Sequence, residues 1–501
     1  LAGALLIAAI GATFAWKSAH YGQTPFFNSL VLMAEERAVA AVFNGWHSLG
    51  DLSALGAPAQ AQARLASAIP VLTYHRLTLT GEAGQLPVTR FMDQMETLYR
   101  AGWRTATLEE YEQFVRGARA LPERTFLLTF DDGAQQSYYP VDPILKALGY
   151  SAAEYVIVAA SETPKSTYYL SPEQISAMLS TGRWEIGSHS FDAHRPYPTD
   201  PSGGTGIFYT DKLWLPASGR LETDGEFLAR VHDDLLRARQ ALEARYGATV
   251  DTFAVPFGGE TGHRAADNYP GGNNITVAEA HKLYSFVWLQ TDRRGFTFNY
   301  PGYPSTLGER IHVDYDWNGK TLETFLEGGI PKELPYKDNF AVDSGWRHSW
   351  GDVQPVGSLK LDAGPQETSA GSVLDGSLLW NAYQAEATAN WDRGYAVVMG
   401  AVRDDHTYRS CSFSPGEVEI RDTSGTSTVS LAKRAAPDVR YGQGVRLGIR
   451  VEDAAISCMY NGKVLLSAPT GRNEGGVGIQ TWAPEPGTAS LLVTDFLADP
   501  L

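Results

Sequence analysis

Positive charge is scarce in this sequence. Its 41 Lys and Arg stand against 57 Asp and Glu, a net charge of −16. A phosphate-backbone partner needs a basic surface, so nucleic-acid binding is excluded. Cysteine is nearly absent: two occur, Cys411 and Cys458. An even pair in an exported chain is expected as one disulfide, the alternative being two buried thiols. No internal repeat is evident, which removes the repeat architectures. Long apolar runs are missing too. The one candidate, Leu1–Trp16, is free of charge but spans 16 residues, short of the roughly 20 that cross a bilayer. A few residues upstream would complete an anchor; the rival is a signal segment, with Thr13 and Ala15 as a weak cleavage site. Either reading puts the rest of the chain outside the cytoplasm.

What is present is a globular composition, 43% hydrophobic and 20% charged, in 501 residues. That length calls for two or three domains. The 12 Trp and 24 Tyr suit either a β-rich aromatic core or platforms for sugar rings. Residues 17–66 read as a juxtamembrane helical segment and linker. From about 67, strands and helices alternate. Ile69–His75 is a buried strand, and Phe91, Met95 and Leu98 recur at helical spacing. Thr107 with Glu110 forms a capping box. Thr125–Phe130 is a continuous apolar strand, as in a parallel sheet covered on both faces. Ser171, Pro172 and Gln174 open a helix that ends near Gly182. Trp184–His189 is a short strand, Phe227 to Leu242 a long helix ending at Gly247, and Thr252–Pro256 another strand. The pattern predicts an α/β domain over 67–335 with parallel strands, open or closed into a barrel.

Over 336–501 helical periodicity fades. Short alternating strands such as Tyr395–Val402, Val445–Val451 and Ala455–Tyr460 appear, and Asn461-Gly462 is a hairpin signal. This predicts an all-β sandwich. It is loosely similar to the jelly-roll sandwiches of lectins and carbohydrate-binding modules. Residues 195–220 form a long insertion in the first domain, a length that favours a functional role.

Four strands of the α/β domain end in residues that carry chemistry: His75; Asp131-Asp132-Gly133; His189 with Asp192 and His194; and Pro256-Phe257-Gly258. Sites of parallel α/β folds assemble at such carboxyl ends. One carboxylate and two imidazoles make the ligand set of a catalytic Zn²⁺, and they also suit Fe²⁺, Co²⁺ or Ni²⁺. Adjacent aspartates allow one to bind metal while the other takes a proton.

TFDDG, then HSFDAH, then FAVPFGG resembles the NodB-homology polysaccharide deacetylases, carbohydrate esterase family four, over roughly residues 67–330. The five-residue histidine spacing and the opening PVLTYHRL resemble the poly-β-1,6-N-acetylglucosamine deacetylase branch, which is circularly permuted. The resemblance implies a distorted (β/α) barrel with Asp131 as general base, Asp132, His189 and His194 as metal ligands, and His75 as general acid. His312, in ERIHV, is the rival acid. A carboxylate partner is expected on the other ring nitrogen of His75. Asp192 is either a loop cap or a partner of a ligand histidine. Pro256, Phe257, Gly258 and Trp288 are expected at the substrate, Trp288 and Asp292 being candidates for the family's aspartate–tryptophan motif. The family's arginine before the motif Pro, which pairs with the base, has no counterpart: Ala254 or Val255 stands in that region.

The expected function is metal-dependent removal of N-acetyl groups from an exported polysaccharide, in the cell envelope. A synthase or export complex is a possible partner, and the sandwich would hold the glycan. The alternatives are an O-acetyl esterase, a peptidoglycan deacetylase, or a membrane-tethered carbohydrate-binding protein without turnover.

Overall fold

The computed structural model describes Ala34 and residues 64–501, except 79–84, 163–167, 260–267, 292–294 and 303–306. The expected anchor 1–16, nearly all of the 17–66 segment and Asp292 therefore lie outside the described residues. Among the described residues no helix is long and apolar enough to cross a membrane. The chain divides into two compact units, Leu1–Thr291 with Asn299–Glu323, and Asp292–Phe298 with Thr324–Leu501. The division falls inside the helix Gly319–Gly329 rather than at the expected 335/336.

The first unit is built on eight parallel strands: β1 (Val71–Tyr74), β2 (Arg104–Ala106), β3 (Thr125–Asp132), β4 (Ala152–Val156), β5 (Trp184–Ser188), β6 (Thr252–Ala254), β7 (Phe286–Thr291) and β8 (Leu307–His312). Seven of them close into a barrel in the order β1-β8-β7-β6-β5-β4-β3, with β3 returning to β1 and β2 flanking β3. The apolar run of β3 is buried almost to its end, as a strand covered on both faces must be. The helices begin where side chains satisfy free backbone N–H groups. Thr107 with Glu110, Ser171 with Gln174 and Thr223 with Glu226 are complete capping boxes. The last opens the helix Asp224–Tyr246, which Gly247 ends at φ 64°.

Alternation along each strand sends every second side chain into the lumen. Val71, Leu127, Ala153, Tyr155, Ala254 and Trp288 belong to one buried cluster there. Large rings fill it, so some strands must give way. A Cβ at Gly187 would stand 2.2 Å from the Tyr155 ring, and one at Gly308 2.4 Å from the Trp288 ring. The next layer up is polar: Thr73 and Thr129 hydroxyls lie 3.3 Å apart. Above them come Asp131 and Arg310, then the strand ends.

The second unit is all β among its sheets. One antiparallel sheet runs Asp352–Gln354, Leu359–Asp362, Ser490–Pro500, Tyr383–Arg393, Gly442–Val451, Ala455–Tyr460 and Lys463–Pro469, and Tyr336–Asp338 also pairs with Ser490–Pro500. The other runs Trp346–Trp350, Ser369–Leu374, Gly476–Trp482, Tyr395–Asp404, Thr407–Ser414, Gly416–Ser424 and Ser427–Ala436. Strand Tyr383–Arg393 alternates buried and half-buried residues over most of its length, the pattern of a sheet with one face on a core. Residues of both sheets share one apolar core. Cys411 of one sheet and Cys458 of the other are disulfide-bonded across it.

Candidate active site

β3 carries both aspartates to the rim of the barrel. Asp131 points into the lumen and is 2% exposed. Its two carboxylate oxygens accept parallel hydrogen bonds from the Arg310 guanidinium, both at 2.7 Å. Arg310 is itself fully buried. Burial alone would raise the Asp131 carboxyl, but the Arg310 charge holds it well below the usual carboxylate range. Asp131 therefore stays ionised although a second carboxylate follows it directly.

Asp132 leaves the strand at φ 80°, a left-handed conformation that swings its side chain to the other side of the chain. The turn is held from beneath by Glu154 of β4. Glu154 Oε1 accepts from the Gly133 N–H at 3.0 Å, and its Oε2 lies 2.9 Å from the Ser137 hydroxyl. Burial pushes the Glu154 carboxyl well above its ordinary value.

His189 and His194 complete the cluster. Asp132 Oδ1 lies 3.6 Å from His189 Nε2 and 3.4 Å from His194 Nε2, and one ligand atom from each of the three falls within 4.8 Å of the others. The ring of His189 is fixed by a 2.8 Å hydrogen bond between Nδ1 and the Ala254 carbonyl. A carbonyl can only accept, so Nδ1 carries the proton and Nε2 turns its lone pair inward. Burial pushes this imidazole down to about 4, against the pull of Asp131, which keeps it neutral. Asp132 Oδ1 is buried and has no hydrogen-bond partner among the described residues. A buried carboxylate oxygen left unpaired is costly, and a cation is the partner its surroundings offer. The residues therefore fit a divalent metal; the donor set does not choose between Zn²⁺, Co²⁺, Ni²⁺ and Fe²⁺.

Residues 118–268 match the polysaccharide deacetylase family. This stretch is a polysaccharide deacetylase domain. The chain is 24% identical over 203 residues to the poly-β-1,6-N-acetyl-D-glucosamine N-deacetylase of Escherichia coli (strain K12), covering 38% of this chain and 28% of that protein. It is 28% identical over 182 residues to the enzyme of the same name from Staphylococcus epidermidis, covering 33% and 61%. The chain thus spans less than two thirds of either relative. Among solved structures, the BpsB deacetylase domain from Bordetella bronchiseptica is 24% identical and covers 50% of this chain and 96% of its own, at a TM-score of 0.41.

The rim of the deacetylase domain also holds two further histidines. His75 directly follows β1, which pairs with β3. His312 ends β8, and the two imidazole rings stand 5.6 Å apart. The carboxylate expected on His75 is not seen there among the described residues; the rival His312 has an ion-pair contact, its Nδ1 3.8 Å from Asp314 Oδ1, too long for a hydrogen bond. Asp314 follows His312 by two residues, whereas Arg76 follows His75. Asp192 pairs with Arg195 at 3.0 Å and is half exposed, so its carboxylate serves the loop and not a histidine ring. Pro256 is buried, while Phe257, at φ 59° and 41% exposed, stacks on His194 with ring centroids 4.4 Å apart. Gly258 lies in the same short 3₁₀ turn, Pro256–Gly259. Trp288 requires a correction. It is fully buried in the lumen against Tyr111 and Phe286, offers no surface to a substrate, and acts as core.

Arg310, which pairs with Asp131, and Glu154, which holds the Gly133 turn, are the residues that motif reading missed. The arginine that pairs with Asp131 comes from β8, not from the third motif. One signal was available: Arg310 and His312 are two apart on a strand and so share a face.

Proposed function

We propose that the protein is a metal-dependent hydrolase that removes N-acetyl groups from a polysaccharide, with a poly-β-1,6-N-acetylglucosamine type of glycan as substrate. The observation that carries this reading is the convergence of Asp132, His189 and His194 beside an ionised Asp131 on one barrel rim. Asp132, His189 and His194 would hold a divalent cation, which when bound would supply Lewis acidity to the acetyl carbonyl and the attacking water. Asp131 takes a proton from that water as it adds to the carbonyl. Arg310 keeps Asp131 anionic and fixes its orientation. His75, at the end of the strand next to β3, just past Tyr74, gives a proton to the departing nitrogen. The amide C–N bond breaks, and the products are acetate and a free amine on the sugar. Phe257 presents an apolar ring at the edge of the site, suited to a pyranose face.

The β unit is assigned the role of holding the glycan, in a jelly-roll-like sandwich. On one sheet Tyr395 and Trp482 stack with centroids 4.0 Å apart, and Arg421 lies over Trp482. A position outside the cytoplasm, in the cell envelope, goes with this reading. It draws support from the apolar Leu1–Trp16 segment and from the disulfide, which belongs in an oxidising compartment.

The test is acetate release from a panel of N-acetylated and O-acetylated glycans, with and without chelator. Chelator-sensitive release from the N-acetylated β-1,6-glucosamine polymer is expected. Release from O-acetyl glycans alone would give the esterase reading, release from peptidoglycan alone the cell-wall reading, and glycan binding without release the non-catalytic one.

A further inference from the structure

The two candidate ligand histidines stand five residues apart, and the chain between them turns without a glycine. Ser190 makes the turn at φ 108°. A non-glycine residue enters such a region at a cost of about 1–3 kcal/mol and stays there only when its surroundings hold it. Five backbone groups of the Ser190–Asp192 turn are held. The Ser190 carbonyl accepts from Val158 N–H at 3.1 Å and the Phe191 carbonyl from Ala159 N–H at 2.8 Å. Phe191 N–H and Asp192 N–H donate to the two oxygens of Asp234 at 2.9 and 3.0 Å. The Tyr197 hydroxyl donates to the Asp192 carbonyl.

Asp234 sits on the helix Asp224–Tyr246 and is 7% exposed. Its third donor is the Tyr209 hydroxyl, 2.5 Å from Oδ1. Tyr197 and Tyr209 both come from the 195–220 insertion. That insertion is anchored in turn: Arg230 donates to the Phe208 and Asp211 carbonyls at 2.6 and 3.0 Å, and Thr276 Oγ1 donates to the Tyr209 carbonyl at 2.6 Å. Tyr209 is fully buried, so it cannot meet a glycan.

We propose that Asp234 is a positioning residue: with Tyr209 of the insertion it locks the Ser190–Asp192 turn so that His189 and His194 reach one cation. The inference rests on the metal-dependent reading above. It gives the insertion a task, to buttress the metal loop from behind. A carboxylate is suited to it because its two acceptor oxygens meet the two neighbouring N–H groups one to one.

The experiment uses the full chain, with Zn²⁺ itself as the probe. Zinc affinity is measured by competition with a chromophoric chelator, and amide hydrogen exchange at Phe191 and Asp192 is measured on the metal-free protein. Asp234→Asn puts an NH₂ group against one of the two N–H donors. It is expected to weaken zinc binding about 10–100-fold, the range for groups that orient metal ligands, and to speed exchange at both amides. Tyr209→Phe should move both readouts the same way but less, by up to about tenfold, the worth of one hydrogen bond. It decides the matter if Asp234→Asn does not fold. Zinc affinity and exchange unchanged from the parent in the folded variants would overturn the proposal. A parent protein that binds no zinc would instead defeat the metal reading, while exchange at the two amides would still report on the turn.

Discussion

The barrel and the β unit handle strand direction in opposite ways, and the difference decides where chemistry can gather. In the barrel every strand runs the same way, so every carboxyl end reaches one rim. Residues as distant in sequence as Asp131 and Arg310 meet there at 2.7 Å. In the β unit neighbouring strands run antiparallel, so their ends divide between two edges. Its inward side chains form an apolar core closed by Cys411–Cys458. A parallel fold concentrates polar residues at one end and tolerates the cost; an antiparallel one spreads them over its faces. Substitutions at the rim should therefore remove chemistry, and substitutions between the sheets should remove stability.

The largest effect is expected at the metal cluster. Asp132→Ala should lose both bound metal and acetate release, with the fold retained by circular dichroism. Full activity in that variant would break the contrast at its strongest point. Next comes the acid. His75→Ala should lower turnover about 10²–10⁴-fold while keeping metal, and His312→Ala should cost no more than about tenfold, the scale of one hydrogen bond. Steady-state kinetics of the two variants decide between them; the reverse ranking would move the acid to β8.

Arg310 belongs to both sides of the comparison, being buried and at the site. Arg310→Met leaves the Asp131 charge buried without its partner, which should cost about 3–5 kcal/mol of stability and most of the activity. Denaturant unfolding with parallel rate measurements checks both, and stability equal to the parent would show that the pair is dispensable to the fold. The smallest effect on catalysis is expected in the β unit. Replacing Cys411 and Cys458 by Ser should cost about 2–4 kcal/mol of stability and leave acetate release from a short soluble oligomer unchanged below the unfolding transition. A loss of rate there would tie the disulfide to the site.

Much of the rim was legible because each functional residue interrupts a readable pattern. Thr125–Phe130 carries no charge, so Asp131 and Asp132 stand out at its end. Trp184–Ser188, with Glu185 inside it, marks His189 less sharply. The helices announced themselves through Thr107 with Glu110 and Ser171 with Gln174, and both capping boxes formed. What stayed hidden was polar residues inside strands. Leu307–His312 contains Glu309, Arg310 and His312 and lacks the apolar run of a buried strand. Its arginine is paid for by Asp131, a partner that pattern reading cannot see. Glu154 likewise sits inside β4 and spoils its alternation. Trp288 misled in the other direction: an aromatic near an acidic residue resembled a substrate motif, whereas the lumen needed bulk opposite Gly308. In the β unit the alternating strands were readable, but their order in two sheets depends on long-range pairing that local pattern does not encode.

The central claim is that neighbouring aspartates have separate tasks, Asp132 to hold metal and Asp131 to move a proton. Asp131→Asn keeps the size of the side chain and removes its basicity. Metal analysis of the purified variant beside its rate of acetate release tests the claim most directly. The expected result is metal content equal to the parent with release lowered about 10²–10⁴-fold. An Asp131→Asn protein that has lost its metal, or that releases acetate at the parent rate, would contradict it.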